Sequence, residues 1–277
     1  MSKIYRVKNN KIYIDNIASF CIKHICECGQ LFRFERKNEH FYTIFSKNNY
    51  ANVVKNENGY EIECSNVEYF INYFDLDNDY ESIKSRLKNS IMKDAVEYGY
   101  GIRILKQDLF EMIISFIISA NNNIKRIQKT INAICAKCGK DMGGYYAFPT
   151  LESIGKCDEE FFKSVGAGYR AGYLVDTIKK LQTYNLERLK ALDTESARKE
   201  LMSFKGIGRK VADCILLFGL NRQDVFPVDT WIEKVYRDYY FAGEKSREQI
   251  SVYLTNLYKD LSGYAQQYLF YYKRELE

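Results

Sequence analysis

The chain is poor in several residues that common chemistries require. Among 277 residues there are two prolines, one tryptophan and two histidines. Both histidines, His24 and His40, lie near the N-terminus, so a histidine-based triad in the second half is excluded. No apolar run reaches the ~18 residues that a membrane span needs. The longest, MIISFIISA (Met112–Ala120), is about half that length and reads as a buried helix. The opening MSKIYRVKNNKIYI lacks an apolar h-region ahead of a small-residue cleavage site, so no secretory signal is expected and a cytoplasmic protein is. There is no internal repeat and no low-complexity tract.

Cysteine, by contrast, occurs eight times, at positions 21, 26, 28, 64, 135, 138, 157 and 214. The spacing is irregular in a chain too long to need covalent staples, which favours free thiols over a disulfide framework. Cys135 and Cys138 form a CxxC, but no second pair follows at zinc spacing, and inside AICAKCGK they read as helical residues three apart. No metal site is expected. The net charge is +5 with a pI near 8.6, compatible with a polyanionic partner and weak evidence for one. Aromatic content is 15 %, with 24 tyrosines. An AT-rich coding sequence, which also favours Lys, Asn and Ile, accounts for that equally well.

Hydrophobic residues make up 46 %, enough for a substantial core, and the length suits one large domain or two ordinary ones. Residues 1 to about 90 show alternation in KIYI, LFRFER, HFYTIFSK, YANVV and GYEIECS, with turn residues between, and predict an antiparallel sheet with one wet face. Asp75, Asp77 and Asp79 imitate the start of a calcium loop. Tyr80 and Arg86 stand where that loop needs Gly and Glu, so the stretch reads as a loop into the helix ESIKSRL. From about 90 onward the period changes to 3.6. Helices are predicted near 107–120, 123–138, 158–164, 168–183, 194–204, 209–220, 229–240, 246–260 and 263–275. The expected fold is α+β: an N-terminal antiparallel β domain over 1–100, then an all-α domain over 101–277 with a helical hairpin at about 201–220.

That hairpin, LMSFKGIGRKVADCILLFGL, carries the most chemistry. Gly206 and Gly208 flank Ile207, which lets the backbone bend sharply while Ile207 plugs the core. The amides of such a turn and of the helix after it suit a phosphate, although GxG turns are also common in bundles without one. Lys210 sits in the first helical turn, where the macrodipole disfavours an added cation, so it is misplaced for stability alone. A neutral amine is the nucleophile of covalent lysine chemistry; the plain alternative is a solvated lysine contacting a phosphate or nothing. Asp229, in PVDTW, reads as a helix N-cap. A carboxylate held by amides also suits the neighbourhood of a forming cation, so cap and catalyst are compatible roles.

The sequence resembles the helix-hairpin-helix base-excision DNA glycosylases with a Gly/Pro-rich loop and an aspartate, and within them the 8-oxoguanine DNA glycosylase/AP-lyase family. Six blocks carry the likeness in family order: CGQLFRF, NNNIKRI, GYRAGY, GIGRKVADC, PVDTW and GYAQQYLF. The resemblance implies that Lys210 attacks the sugar C1′ and forms a Schiff base, and that Asp229 stabilises the oxocarbenium-like sugar and helps activate the amine. It implies that the Gly29 carbonyl accepts the N7 hydrogen of 8-oxoguanine. Gln266 then meets the Watson–Crick edge, and Phe270 and Cys214 stack on the two faces. Asn121, Arg126 and Arg170 would fill the vacated stack and read the orphan cytosine, with Tyr169 as a wedge, and Gly206 and Gly208 would face DNA phosphate. Read without the family, Cys214 and Phe270 are core residues, Asn121-Asn122-Asn123 a cap cluster and Arg170 a surface charge.

Two departures stand out. Trp231 replaces the histidine that animal and fungal members carry near the damaged nucleotide's phosphate. The four-cysteine iron–sulfur loop of many relatives is absent, since no cysteine follows Cys214. The resemblance implies an enzyme, a monomer acting on nucleoid DNA of bacterial type, that flips 8-oxoguanine from the duplex, cleaves its glycosidic bond and nicks the strand by β-elimination. It implies no cofactor for the chemistry and a structural monovalent cation at the hairpin turn. Two other readings stand beside this one. A related glycosylase for another lesion is opposed by Gly29, Gln266 and Phe270. A non-enzymatic DNA-binding hairpin is opposed by Lys210 and Asp229 together, since phosphate binding requires neither.

Overall fold

A computed structural model describes residues 3–15 and 17–276. Six antiparallel strands form one sheet: β1 (Tyr5–Lys8), β2 (Lys11–Ile14), β3 (Phe34–Arg36), β4 (Phe41–Ser46), β5 (Asn49–Asn56) and β6 (Gly59–Cys64), in the order β1-β2-β6-β5-β4-β3. Register follows the alternation in sequence. Ile12 pairs with Ile62, Ile62 with Val53 and Val53 with Tyr42, so one buried row crosses four strands. On the other face Lys11 bridges Glu61 at 2.8 Å and Glu63 at 2.9 Å. LFRFER, expected as a strand throughout, pairs only from Phe34 onward. Leu31 to Arg33 are withdrawn from the sheet because Gly29 turns with φ +82° and Arg33 is buried against Glu111.

Helices fill the rest: α1 (Ile22–Glu27), α2 (Val67–Tyr73), α3 (Tyr80–Arg86), α4 (Ser90–Tyr98), α5 (Leu109–Ser119), α6 (Ile124–Cys138), α7 (Leu151–Ile154), α8 (Glu159–Ser164), α9 (Arg170–Leu181), α10 (Glu187–Ala191), α11 (Thr194–Met202), α12 (Arg209–Gly219), α13 (Thr230–Val235), α14 (Arg247–Tyr258) and α15 (Ser262–Leu276). A π-helical turn, Tyr236–Tyr240, extends α13. Asn, Asp, Ser or Thr side chains cap α2 to α8, α11, α13 and α14 by accepting from a first-turn amide. The hairpin helix α12 begins at Gly208 with no such bond. None of these helices is long and apolar enough to cross a membrane.

Two cores result. Ile12, Ile44, Val53, Ile62, Phe70 and Phe74 belong to the one beneath the sheet. The other gathers residues of α3 and α4 with the helices from α5 onward, and α12 lies deep within it, packed on α5 and α11. Arg103 joins them. Its side chain has no exposed surface, and it donates to the carbonyls of Phe74 (2.9 Å), Ser19 (3.0 Å), Asn78 (3.0 Å) and Asp75. Its guanidinium lies 3.9 Å from the Tyr80 ring centroid. The aspartate run that imitates a calcium loop is therefore part of an arginine cradle. Asp75 bridges Lys106 at 2.7 Å and accepts from Tyr80 at 3.2 Å, and Asp79 caps α3.

Replacing Arg103 with leucine leaves those four carbonyls without their donor, a loss of about 3–5 kcal/mol for a buried charged hydrogen-bond centre. The melting temperature should fall by roughly 10 °C, and lysine should not restore it because an ammonium cannot span the cradle. An unchanged transition in calorimetry would show that Arg103 does not hold the two cores together.

Candidate active site

The helix-to-strand segment between α1 and β3 brings Gly29 and Gln30 beneath α15. Gln30 is fully buried and ties this turn to the extended stretch ahead of α5. Its Nε2 donates to the Arg103 carbonyl, its Oε1 accepts from Leu105 N, and its own carbonyl accepts from Gln107 Nε2, each at 2.8 Å. From the other side Gln267 donates to the Cys28 carbonyl and Arg274 to the Glu27 carbonyl, both from α15. Gly29 is thus fixed by its neighbours on both sides. A Cβ there would come within 2.9 Å of the Phe270 ring and 3.2 Å of the Arg274 guanidinium. Glycine is required here on two counts: the residue must accept a positive φ and clear Phe270.

The hairpin supplies the second wall. Gly206 has φ +84°, and a Cβ on it would meet the Tyr173 ring at 2.6 Å, so its role is conformational. Gly208 faces open space, with nothing within 4 Å of such a Cβ. Ile207 is buried as the sequence suggests. The first intrahelical bond of α12 runs from Ala212 N to Gly208 O (2.9 Å), so the amides before it point out of the helix end. Lys210, the second residue of α12, reaches back over the pocket floor, its Nζ 5.7 Å from the Phe116 ring centroid. Phe116 stacks on Phe218 at 5.7 Å and 11° and receives Phe32 edge-on at 5.5 Å. One turn on, Cys214 is buried, and burial pushes its thiol up to about 11 despite the nearby Lys210 ammonium. It therefore remains a neutral, polarisable wall at neutral pH.

The third wall comes from the start of α13. Asp229 Oδ1 accepts from the amides of Trp231 and Ile232, both at 3.0 Å, as an N-cap. Trp231 is half-buried with the Lys234 ammonium 4.5 Å from its ring centroid.

These walls enclose a cavity of about 50 Å³ lined by Gly29, Phe116, Lys210, Cys214, Asp229, Gln266 and Phe270, with Cys28, Phe218, Pro227 and Gln267. Six residues singled out from sequence, separated by up to 241 positions (270 − 29), meet here. The Oε1 atom of Gln266 is buried without a hydrogen-bond partner among the described residues. Such a buried acceptor facing a pocket suits a ligand donor. The cavity is small beside the ~300 Å³ of an ordinary ligand site, so an aromatic guest must displace a lining side chain. Phe116, Phe218, Pro227 and Gln267 were not singled out from sequence. The phenylalanines lie in apolar helices where nothing distinguishes floor from core.

The remaining candidates sit elsewhere. Tyr169, Gly206 and Gly208 line an open groove with Ala120, Tyr173 and Phe204. Tyr169 is 58 % exposed, and its hydroxyl donates to the Ala120 carbonyl at 3.2 Å. Asn121 is exposed beside the groove with φ +49°. Arg170 is no surface charge. It is 3 % exposed and donates to the carbonyls of Ala120 (2.8 Å) and Asn121 (2.7 Å), fixing the turn from which Asn121 projects. Arg126 stands exposed on the first turn of α6 and lines neither cavity. In the cap cluster Asn123 alone caps α6, while Asn122 donates to the Ile118 carbonyl at 3.1 Å.

Similarity to known proteins identifies the family and the fold. Residues 12–113 match the family model described as 8-oxoguanine DNA glycosylase, N-terminal domain, and residues 114–259 match that of the HhH-GPD superfamily base excision DNA repair proteins. An N-glycosylase/DNA lyase of Saccharomyces cerevisiae is 31 % identical over 271 residues, covering 83 % of this chain and 71 % of its own. The 8-oxoguanine glycosylase/lyase of Clostridium acetobutylicum, solved in complex with double-stranded DNA containing cytosine opposite 8-oxoguanine, superposes with a TM-score of 0.93 at 40 % identity and 98 % coverage of both chains. A 3-methyladenine DNA glycosylase of Archaeoglobus fulgidus shares the fold at a TM-score of 0.76 and 21 % identity, covering 96 % of this chain and 99 % of its own.

The packing at Gly29 makes a separable prediction. Gly29→Ala should cost about 1–2 kcal/mol for the left-handed backbone alone, plus the clash with Phe270. In a Phe270→Leu background the second part should disappear and the first remain, read as a smaller but non-zero drop in Tm across the double-mutant cycle. Equal losses in both backgrounds would mean that Phe270 does not press on Gly29.

Proposed function

The chain belongs to the 8-oxoguanine DNA glycosylase family of helix-hairpin-helix base-excision repair proteins, and on that premise we propose how its pocket residues divide the reaction. The enzyme is a DNA N-glycosylase with lyase activity that excises 8-oxoguanine from duplex DNA and nicks the resulting abasic site. The observation that carries the assignment of roles is the convergence of Gly29, Lys210, Cys214, Asp229, Gln266 and Phe270 on one cavity.

Breaking the N-glycosidic bond sends its electron pair to the base and leaves positive charge on the sugar. Asp229, held on its helix end by two amides, stabilises that charge electrostatically. The Lys210 amine bonds to C1′, and loss of a proton with ring opening gives a Schiff base between protein and strand. A proton lost from C2′ then drives elimination of the 3′ phosphate, which nicks the strand. The flipped base lies between Cys214 and Phe270. The buried, unpartnered Gln266 Oε1 supports an acceptor role toward the N–H donors of a guanine Watson–Crick edge. The Gly29 carbonyl accepts the N7 hydrogen that 8-oxoguanine has and guanine lacks. A lone pair in place of that hydrogen leaves two acceptors facing, at about 1–3 kcal/mol.

The open groove and the α12 N-terminus serve the duplex. Gly208 leaves room for a phosphate at the outward amides. Tyr169 wedges the stack with Asn121 and Arg126 beside it, while Arg170 positions Asn121 through its carbonyl. The hairpin residues give little support to a bound monovalent cation. The carbonyls of Ser203, Phe204 and Lys205 accept from Lys180 (3.0 Å), Ile207 (3.1 Å) and Thr177 (3.3 Å), and no step is routed through such an ion. The protein works as a monomer on DNA in the cytoplasm in this reading.

Borohydride should trap a covalent protein–DNA adduct on a duplex with one 8-oxoguanine, and Lys210→Gln should abolish both trapping and nicking while damaged DNA still binds. Undiminished trapping in that variant would move the role to another lysine. Asp229→Asn should slow base release by roughly 100-fold or more with little change in Tm, since asparagine caps equally well. A drop in Tm that accounts for the lost activity would reduce Asp229 to a cap.

A further inference from the structure

Far from the pocket, the sulfurs of Cys138 and Cys157 lie 3.1 Å apart in a hydrogen-bonded thiol pair. Cys138 ends α6, and Cys157 sits in the turn after α7, its amide donating to the Ile154 carbonyl at 3.1 Å. Both are partly exposed, whereas the other six cysteines are buried. The other cysteine of the CxxC, Cys135, lies on the same helix but faces the core and is 3 % exposed.

Between the two thiols the chain makes an excursion onto the β-sheet. Phe148 N donates to the Lys47 carbonyl at 2.7 Å, and the Tyr146 carbonyl accepts from Arg33 at 2.6 Å. The Tyr145 ring stacks on Phe45 at 5.2 Å. A bond between the sulfurs would close this excursion into a ring at its base.

We propose that Cys138 and Cys157 are a peroxide-oxidation site that forms a reversible disulfide. A disulfide needs sulfurs at about 2.05 Å, so about 1 Å of closure remains. One thiolate attacks the peroxide O–O bond, giving a sulfenic acid and hydroxide. The second thiol attacks that sulfur, forming S–S and releasing water. Two thiols and one hydrogen peroxide thus become one disulfide and two waters, and a small dithiol reverses the step. Burial and the neighbouring thiol push the Cys138 thiol up to about 12. The closed ring removes disorder from the unfolded chain rather than adding native contacts.

The test treats the full chain with hydrogen peroxide, blocks free thiols and maps peptides without reduction. The expected result is a single Cys138–Cys157 cross-link with the mass of two hydrogens lost, six blockable thiols, and reversal by dithiothreitol. Oxidised protein should melt about 5 °C higher than reduced, and Cys157→Ser or Cys138→Ser should show no rise. Neither thiol lines the pocket, so both variants should keep wild-type base excision when reduced. Recovery of these two cysteines as free thiols or as higher acids, a cross-link through another cysteine, or the same rise in Cys157→Ser would overturn the proposal.

Discussion

An arginine cannot shed its charge inside a protein, so each buried guanidinium must be surrounded by acceptors. Three in this chain meet that requirement largely with main-chain carbonyls. Arg103 gathers Ser19, Phe74, Asp75 and Asn78 where the two cores meet. Arg33 joins Glu111 and the Tyr146 carbonyl across the sheet edge. Arg170 holds the turn after α5. Because carbonyls belong to the backbone, each arginine fixes the path of a segment and not merely a side chain. Gln30 extends the scheme to the Gly29 turn, which can then present a carbonyl at a fixed position in the pocket.

The same requirement accounts for the chemistry of the pocket. Its walls set Phe116, Phe218, Phe270 and a Cys214 thiol held protonated by burial beside the polar Lys210, Asp229 and Gln267. Against that background an acceptor without a partner, Gln266 Oε1, is expensive in the empty state and is satisfied when a donor arrives. Asp229 differs, since its charge is already met by two amides and can act on a transient cation without first being desolvated.

Much of this was legible in the sequence, for reasons that differ by element. Alternation fixed the faces of β2, β4, β5 and β6 because a slip of one residue would expose the row through Ile12, Ile62, Val53 and Tyr42. The long helices announced themselves by period and Asx caps, whereas α1, α2, α4, α7 and α10 were too short or too embedded in strand-rich sequence to show one. LFRFER looked like a strand because alternation reports burial, and Arg33 is buried for its charge partner. Lys210 was readable as a residue out of place, a cation at a helix start, and Asp229 as a helix cap that the resemblance also made a catalyst. Gln30 and Arg103 were not, since only the fold shows which carbonyls they collect. The CxxC was rightly read as two helical residues, but the neighbour of Cys138 lies 19 positions on, at Cys157, where no spacing rule points.

The account turns on a base held between Cys214 and Phe270 with its edges met by Gln266 and Gly29. A crystal structure of the Lys210→Gln variant bound to a duplex containing 8-oxoguanine opposite cytosine tests this most directly. The account predicts the base in the pocket, Phe270 displaced to admit it, Gln266 bonded to its Watson–Crick edge and the Gly29 carbonyl within hydrogen-bonding distance of N7. A base flipped into the pocket with N7 turned away from Gly29, or seated outside the cavity altogether, would contradict it.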